Sequence, residues 1–166
     1  GDIETPLNEE DVHKAIERLK EQKVEAVAVC FLHSYVNSQN ERKAAEICRQ
    51  EMKGAYVTAS HEVLPVFREF ERFSTTVVSA AVGPITENYL KTLGKKLGDL
   101  SFKGTLYMVQ GGGMVQSVEE SARRAVSLIC SGPAAAPSGA IRLGQSNDSD
   151  NLFSVDMGGT SYDVCL

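Results

Sequence analysis

The residues best suited to chemistry stand near the end of the chain, in Asp156-Met157-Gly158-Gly159-Thr160-Ser161-Tyr162-Asp163. Two adjacent glycines remove the side chains that would keep an anion away from backbone amides, so this turn can cradle a phosphate. Thr160 and Ser161 add hydroxyl donors. Asp156, at the end of the preceding strand, can hold Mg²⁺ directly or through water, because that ion takes oxygen ligands and keeps much of its hydration. The expected phosphate grip is Gly158, Gly159, Thr160, Ser161 and Asp163, with Asp156 as the metal ligand. The plain alternative is a glycine hairpin with a capping aspartate, since glycine pairs are the commonest hairpin signal.

Further candidates are scattered. Gly111-Gly112-Gly113 after a strand, and a helix start at Ser131-Gly132-Pro133, could each meet an anion through free amides; ordinary turn chemistry explains them equally well. Cys130 beside that helix start could act as a nucleophile, but no histidine lies near it in sequence, and a buried structural cysteine is the favoured reading. Arg68, Glu69, Glu71 and Arg72 permit two i,i+3 ion pairs on an exposed helix. His33-Ser34 and His61-Glu62 each follow an expected strand and read as satisfied loop residues before they read as acid/base pairs.

These residues need elements to position them. Asn8 can cap a helix to about Gln22, with Val12, Ala15, Ile16 and Leu19 on one face. Val24 to Leu32 is an almost continuous apolar run, the composition of a central parallel strand covered on both faces. Ser38 with Glu41 three positions on reads as a capping box opening a helix to Met52, and Ala55 to Ala59 as the next strand. Phe67, Phe70, Val77, Ala81, Ile85, Tyr89 and Leu93 recur at near-helical spacing through Gly83-Pro84, where a kink or a break into two helices is expected. Lys103 to Val109 then reads as a strand, Val115 to Arg124 as helical with Ser117 a cap, and Ser131 to Gly144 as an alanine-rich helix. After a polar loop at 145–150, Leu152 to Val155 and Tyr162 to Leu166 form an antiparallel hairpin that opens a new sheet. Alternating strands and helices make the fold α/β, a mixed sheet with flanking helices, divided as 1–144, a loop at 145–150 and a new lobe at 151–166. The last strand has no downstream partner, so the natural protein is expected to continue beyond Leu166.

Composition narrows the function classes. With 166 residues and 42% hydrophobic content the chain can build an ordinary globular core. A formal charge of -5 with dispersed basic residues gives no footprint for nucleic acid. No apolar run reaches the roughly 18 to 20 residues that span a bilayer, and no signal peptide opens the chain, so a cytoplasmic location is expected. Cys30, Cys48, Cys130 and Cys165 lack the short spacing of a zinc site and read as reduced thiols.

The octapeptide resembles the phosphate-binding hairpin of the actin, Hsp70 and sugar-kinase ATPase superfamily, and in detail the A subunit of the hydantoinase/oxoprolinase family. The likeness extends to Ala28-Val29-Cys30-Phe31-Leu32-His33-Ser34-Tyr35, Ser60-His61-Glu62-Val63-Leu64-Pro65, Arg68-Glu69-Phe70-Glu71-Arg72-Phe73-Ser74-Thr75-Thr76, and Leu128 to Ala135. Gln110 before the three glycines and Tyr162 depart from the family's usual Ser-Asn/Asp-Gly-Gly and Thr. The resemblance implies part of a ribonuclease H-like, actin-like ATPase fold, with ATP and Mg²⁺ as cofactors. It implies phosphorylation of a cyclic amide, a hydantoin or 5-oxoproline type, to drive ring opening, with a hydantoinase B-type subunit or fused domain as partner. A ketone-carboxylase A subunit, a sugar-kinase relative and a non-catalytic actin-like nucleotide-binding protein are the alternatives. The 166 residues alone are expected to be inert, and the resemblance leaves open whether the polar residues of Arg68 to Thr76 face a substrate cleft or a partner.

Overall fold

The computed structural model describes residues 1–166, which divide into two compact units: Gly1–Lys103 with Ala122–Val126, and Gly104–Ser121 with Ser127–Leu166.

The first unit is built on one βαβ crossover. Helix α1 (Glu9–Glu21) starts where Asn8 Oδ1 accepts from the Glu10 amide at 3.1 Å, as the sequence indicates. Strand β1 (Ala26–Val29) leads through α2 (Gln39–Glu51) to β2 (Tyr56–Ala59), and the two strands pair in parallel from Ala26 opposite Tyr56 to Val29 opposite Ala59. Val27, Val29, Val57 and Ala59 share one face and pack with Ile16 of α1 and Ala44, Ala45, Cys48 and Met52 of α2. Ile16 has no exposed surface, and burying such a side chain contributes about 1.5–3 kcal/mol. Tyr56 and Thr58 alternate to the other face. There a Cβ on Gly83 would lie 2.3 Å from the Tyr56 ring, while the Tyr56 hydroxyl donates to the carbonyls of Ala122 and Arg123.

After the short helix α3 (Ser60–Val63), Gly83 belongs to α4 (Glu69–Asp99), a continuous 31-residue helix. It does not break into two at Pro84, because buried Ser79 and Ala80 anchor it before the proline and Leu90 after it. Its faces are inverted. Arg72, Thr76, Ser79, Ala80 and Gly83 are buried, whereas Phe70, Val77, Ile85 and Tyr89, the stripe that marks the helix in sequence, are exposed. No helix is long and apolar enough to cross a membrane.

In the second unit β3 (Tyr107–Val109) pairs antiparallel with β4 (Val115–Ser117). The expected helix from Val115 therefore starts later, as α5 (Val118–Arg123), with Ser117 Oγ accepting from the Glu120 amide. Gly113, at φ +78°, supplies the left-handed residue that turns the chain back. Helix α6 (Ser131–Gln145) follows, and at its end a Cβ on Gly144 would sit 2.2 Å from Leu152. That close return delivers the chain to β5 (Ser154–Met157) and β6 (Tyr162–Cys165), paired antiparallel.

The fold is α/β, with both pairing senses present. In place of one mixed sheet there are three separate two-stranded sheets, and β1, expected to be central, pairs only with β2.

Candidate functional site

The β5–β6 register sets Asp156 directly opposite Asp163 and Met157 opposite Tyr162. The turn between them closes on a 3.0 Å bond from the Gly158 amide to the Ser161 carbonyl, and Ser161 Oγ donates to Asp163 at 3.1 Å. Gly158 and Gly159 are not demanded by the fold. Neither has positive φ, a Cβ on Gly159 would meet nothing within 4 Å, and one on Gly158 only the Ser161 carbonyl at 4.0 Å. Glycine here leaves room for something outside the chain to approach the backbone. The strand before the turn lies open, with Val155 and Asp156 exposed.

Like charges directly opposite on a hairpin repel, and neither Asp156 nor Asp163 has a basic partner among the ion pairs of the chain. A cation that prefers oxygen ligands would relieve that repulsion, so the donor chemistry fits Mg²⁺. The two carboxylates face a cleft of about 350 Å³ lined also by Gly111, Cys130, Pro133 and Cys165. Three candidates separate in sequence thus meet in one place: the hairpin, the glycine loop and the α6 start. The tip residues Gly158 to Ser161 lie outside that lining.

Within the cleft the candidates differ. Gly111 has an internal reason, since a Cβ there would lie 2.5 Å from the Ile129 carbonyl and its amide already donates to Ser127. The α6 start has none: Cys130, in the left-handed region at φ 60°, makes no side-chain cap, which leaves first-turn amides of the helix available. Cys130 is exposed, contrary to the buried reading, because this left-handed N-cap position lies at the surface.

Unit 1 holds a second constellation that the sequence reading missed. Glu41 does not close a capping box, and Ser38 makes no cap bond. Its carboxylate turns inward instead, accepting from the Phe31 amide at 2.6 Å, Ser60 Oγ at 2.7 Å, the His61 amide at 2.8 Å and His61 Nδ1 at 2.7 Å. Burial pushes the Glu41 carboxyl pKa up, but these bonds outweigh it and hold it below its ordinary value. Arg72 completes the knot, donating to Ser60 Oγ at 3.1 Å and to the carbonyls of Val66 and Phe31 at 3.0 and 2.9 Å. Glu41 and Arg72 are both 0% exposed. Both expected i,i+3 pairs form at 3.5 Å, but Arg72 lies in the interior, not on an exposed face. A signal was available: Glu41, Ala44, Ala45 and Cys48 follow i, i+3, i+4, i+7, placing a carboxylate on the core stripe of α2.

The geometry defines an α/β protein with a glycine hairpin open to an anion and a register-opposed carboxylate pair beside it. Two family models match it: Hydantoinase/oxoprolinase over residues 72–166, and Hydantoinase/oxoprolinase N-terminal region over residues 1–52. The chain belongs to the hydantoinase/oxoprolinase family. It is 38% identical over 163 residues to the caprolactamase subunit alpha of Pseudomonas jessenii, covering 98% of this chain and 23% of that one. An uncharacterized protein of Methanocaldococcus jannaschii is 37% identical over 161 residues, covering 97% of this chain and 24% of the relative. The crystal structure of the ATP-dependent caprolactamase from Pseudomonas jessenii superposes with a TM-score of 0.85 at 36% identity, over 99% of this chain and 24% of that one. A nucleotide-free structure of acetone carboxylase, from work on ATP-dependent acetone carboxylation, superposes at 0.77 with 30% identity, over 96% and 23%. The chain thus spans about a quarter of the length of these relatives.

Proposed function

We propose that this chain supplies a phosphate-gripping hairpin to an ATP-dependent enzyme that phosphorylates a cyclic amide, of the hydantoin or 5-oxoproline type, to drive ring opening. The observation that carries the reading is the uncompensated Asp156–Asp163 pair beside two glycines that nothing in the chain requires. Gly158, Gly159, Thr160 and Ser161 bind phosphate oxygens through amides and hydroxyls, Asp163 orients Ser161, and Asp156 holds Mg²⁺ directly or through water. When bound, Mg²⁺ neutralises charge on the transferring phosphoryl group. A lactam oxygen is a poor leaving group until it is phosphorylated, and the transfer needs mainly positioning and charge neutralisation.

Within this reading residues 151–166 open an actin-like ATPase lobe. The enzyme works with a second, B-type subunit or fused domain, as the naming of caprolactamase subunit alpha suggests by likeness. A cytoplasmic location goes with its consumption of ATP. Similarity to acetone carboxylase supports a second reading, in which the phosphorylated oxygen belongs to a ketone's enolate. ADP release by the intact enzyme, with cyclic amides, with ketone plus bicarbonate, or with sugars, tests both. Stimulation by a cyclic amide supports the main reading and stimulation by ketone the second, while stimulation by neither removes both.

A further inference from the structure

The two outer edges of the parallel pair in unit 1 are finished differently. The Tyr56 amide donates to the Glu25 carbonyl at 2.9 Å, and along a parallel ladder the residues that bond to the neighbouring strand alternate. Glu25, Val27 and Val29 therefore turn their amides and carbonyls to β2, and Ala26, Ala28 and Cys30 turn theirs the other way. None of those three makes a backbone bond, since β1 pairs with β2 alone and no turn or loop reaches them. All three are only partly exposed, where unpaired main-chain groups are unfavourable. Beside this edge, under α1, runs a groove of about 480 Å³ whose walls include Val12, Ala15, Leu19 and Val27. Asp11 is the one charged side chain that lines it. At the edge of β2, by contrast, Arg49 donates to the Val57 carbonyl at 3.4 Å, and Glu62, Glu87 and Arg123 stand around the same hollow. Charged side chains of that kind keep a strand edge from pairing.

We infer that the open edge of β1 takes a further β-strand of the natural polypeptide, N-terminal to Gly1 and parallel to β1, whose alternate apolar side chains fill the groove under α1. An apolar small molecule would fill the groove and leave the main chain of Ala28 and Cys30 unpaired, whereas a strand satisfies both. Handedness sets the side. Helices α1 and α2 pack on the same face, and successive right-handed crossovers with helices on one face step the same way across a sheet. The chain that leads into α1 therefore belongs on the side of β1 away from β2. It also arrives from the end that a parallel strand requires. The Gly1 and Thr5 carbonyls accept from Asn37 and Asn40 at 2.8 and 3.1 Å, and Gly1 to Leu7 share a cavity with Phe31, Leu32 and His33, which follow β1 at its carboxyl end. The relatives carry about three quarters of their length outside the part that this chain matches, ample for such a strand. With it β1 becomes the central, doubly covered strand that the apolar run Val24 to Leu32 indicates. This pairing is independent of which substrate the enzyme phosphorylates.

The test uses the intact enzyme. Hydrogen–deuterium exchange resolved to single amides should find Ala28 and Cys30 exchanging at least about 100-fold more slowly than an unstructured chain. p-Benzoylphenylalanine in place of Asp11, an exposed residue lining the groove, should on irradiation join it to a peptide N-terminal to Gly1. Mass spectrometry on mixed isotopically light and heavy enzyme should show both peptides to come from one molecule. Should the Asp11 variant not fold, Ala15, also exposed and lining the groove, takes the probe, and the exchange measurement needs no substitution at all. Free exchange at both amides would overturn the inference. So would a cross-link to a second copy, to the partner subunit or to residues beyond Leu166, or a folded variant that cross-links to no peptide.

Discussion

Unit 1 and unit 2 treat their charges in opposite ways. In unit 1, Glu41 and Arg72 are wholly buried, and nearly every polar atom around them is matched by another from the chain. In unit 2, Asp156 is exposed, faces a second carboxylate across the ladder and has no cationic partner. Physical chemistry assigns different jobs to the two arrangements. Removing one partner of a satisfied buried network leaves an uncompensated charge, so the loss appears in stability. An unsatisfied surface pair has little to lose in stability and something to gain from a ligand, so the loss appears in binding.

The largest expected effect is on the buried side. Arg72→Met should destabilise the chain by about 3–5 kcal/mol in urea denaturation, because the Val66 and Phe31 carbonyls and the Ser60 hydroxyl lose their buried donor together, at about 1–3 kcal/mol for each group left unsatisfied. A loss below 1 kcal/mol would erase the contrast between the units. Gly83→Ala probes the other face of β2 and should cost about 1–3 kcal/mol, since the new methyl meets the Tyr56 ring and the helix must shift.

A smaller effect concerns pH. The Glu41 carboxyl has its folded pKa lowered from its ordinary value of 4.5. Its contribution is therefore complete above that value and is lost as pH falls through the lower, folded one. Denaturation at pH 7 and below pH 4 should show wild type losing stability on acidification, and Glu41→Gln, weaker at pH 7, losing less. Equal acid sensitivity of the two proteins would mean that Glu41 is not the group titrating.

The smallest effect, and the one of opposite sign, is at the hairpin. Asp156→Asn relieves like-charge repulsion and should raise the melting temperature slightly in the absence of Mg²⁺, by at most ~0.5 kcal/mol in stability. Destabilisation beyond that would show the Asp156 carboxylate to be satisfied within the chain, and the contrast would fail.

Much of this was legible in sequence, for reasons that differ by residue. The hairpin was readable because its determinants are local: two glycines, flanking strands and acidic ends within eight residues. Helix α1 followed from periodicity and its Asn8 cap, α2 from periodicity without the expected cap, and α6 from its alanine-rich composition after Ser131-Gly132-Pro133. The knot was not readable because it is assembled from α2, α3 and α4, whose side chains meet only once β1 and β2 have paired. Glu41 misled most, since Ser38-x-x-Glu41 fits a capping box locally while tertiary donors offer the carboxylate stronger partners. The exposed stripe of α4 shows the limit of periodicity, which identifies a helix without saying which of its faces this chain covers.

The central claim, that the Asp156–Asp163 hairpin grips a magnesium-bound phosphate, is tested most directly by titrating the intact enzyme with Mg-ATP beside Asp156→Asn and Gly159→Ala. Gly159→Ala places its methyl in open space and should leave stability unchanged. The account predicts that each variant stays folded and binds Mg-ATP at least tenfold more weakly than wild type, with the loss in D156N disappearing when Mg²⁺ is omitted from all samples. Wild-type affinity in both variants would contradict it.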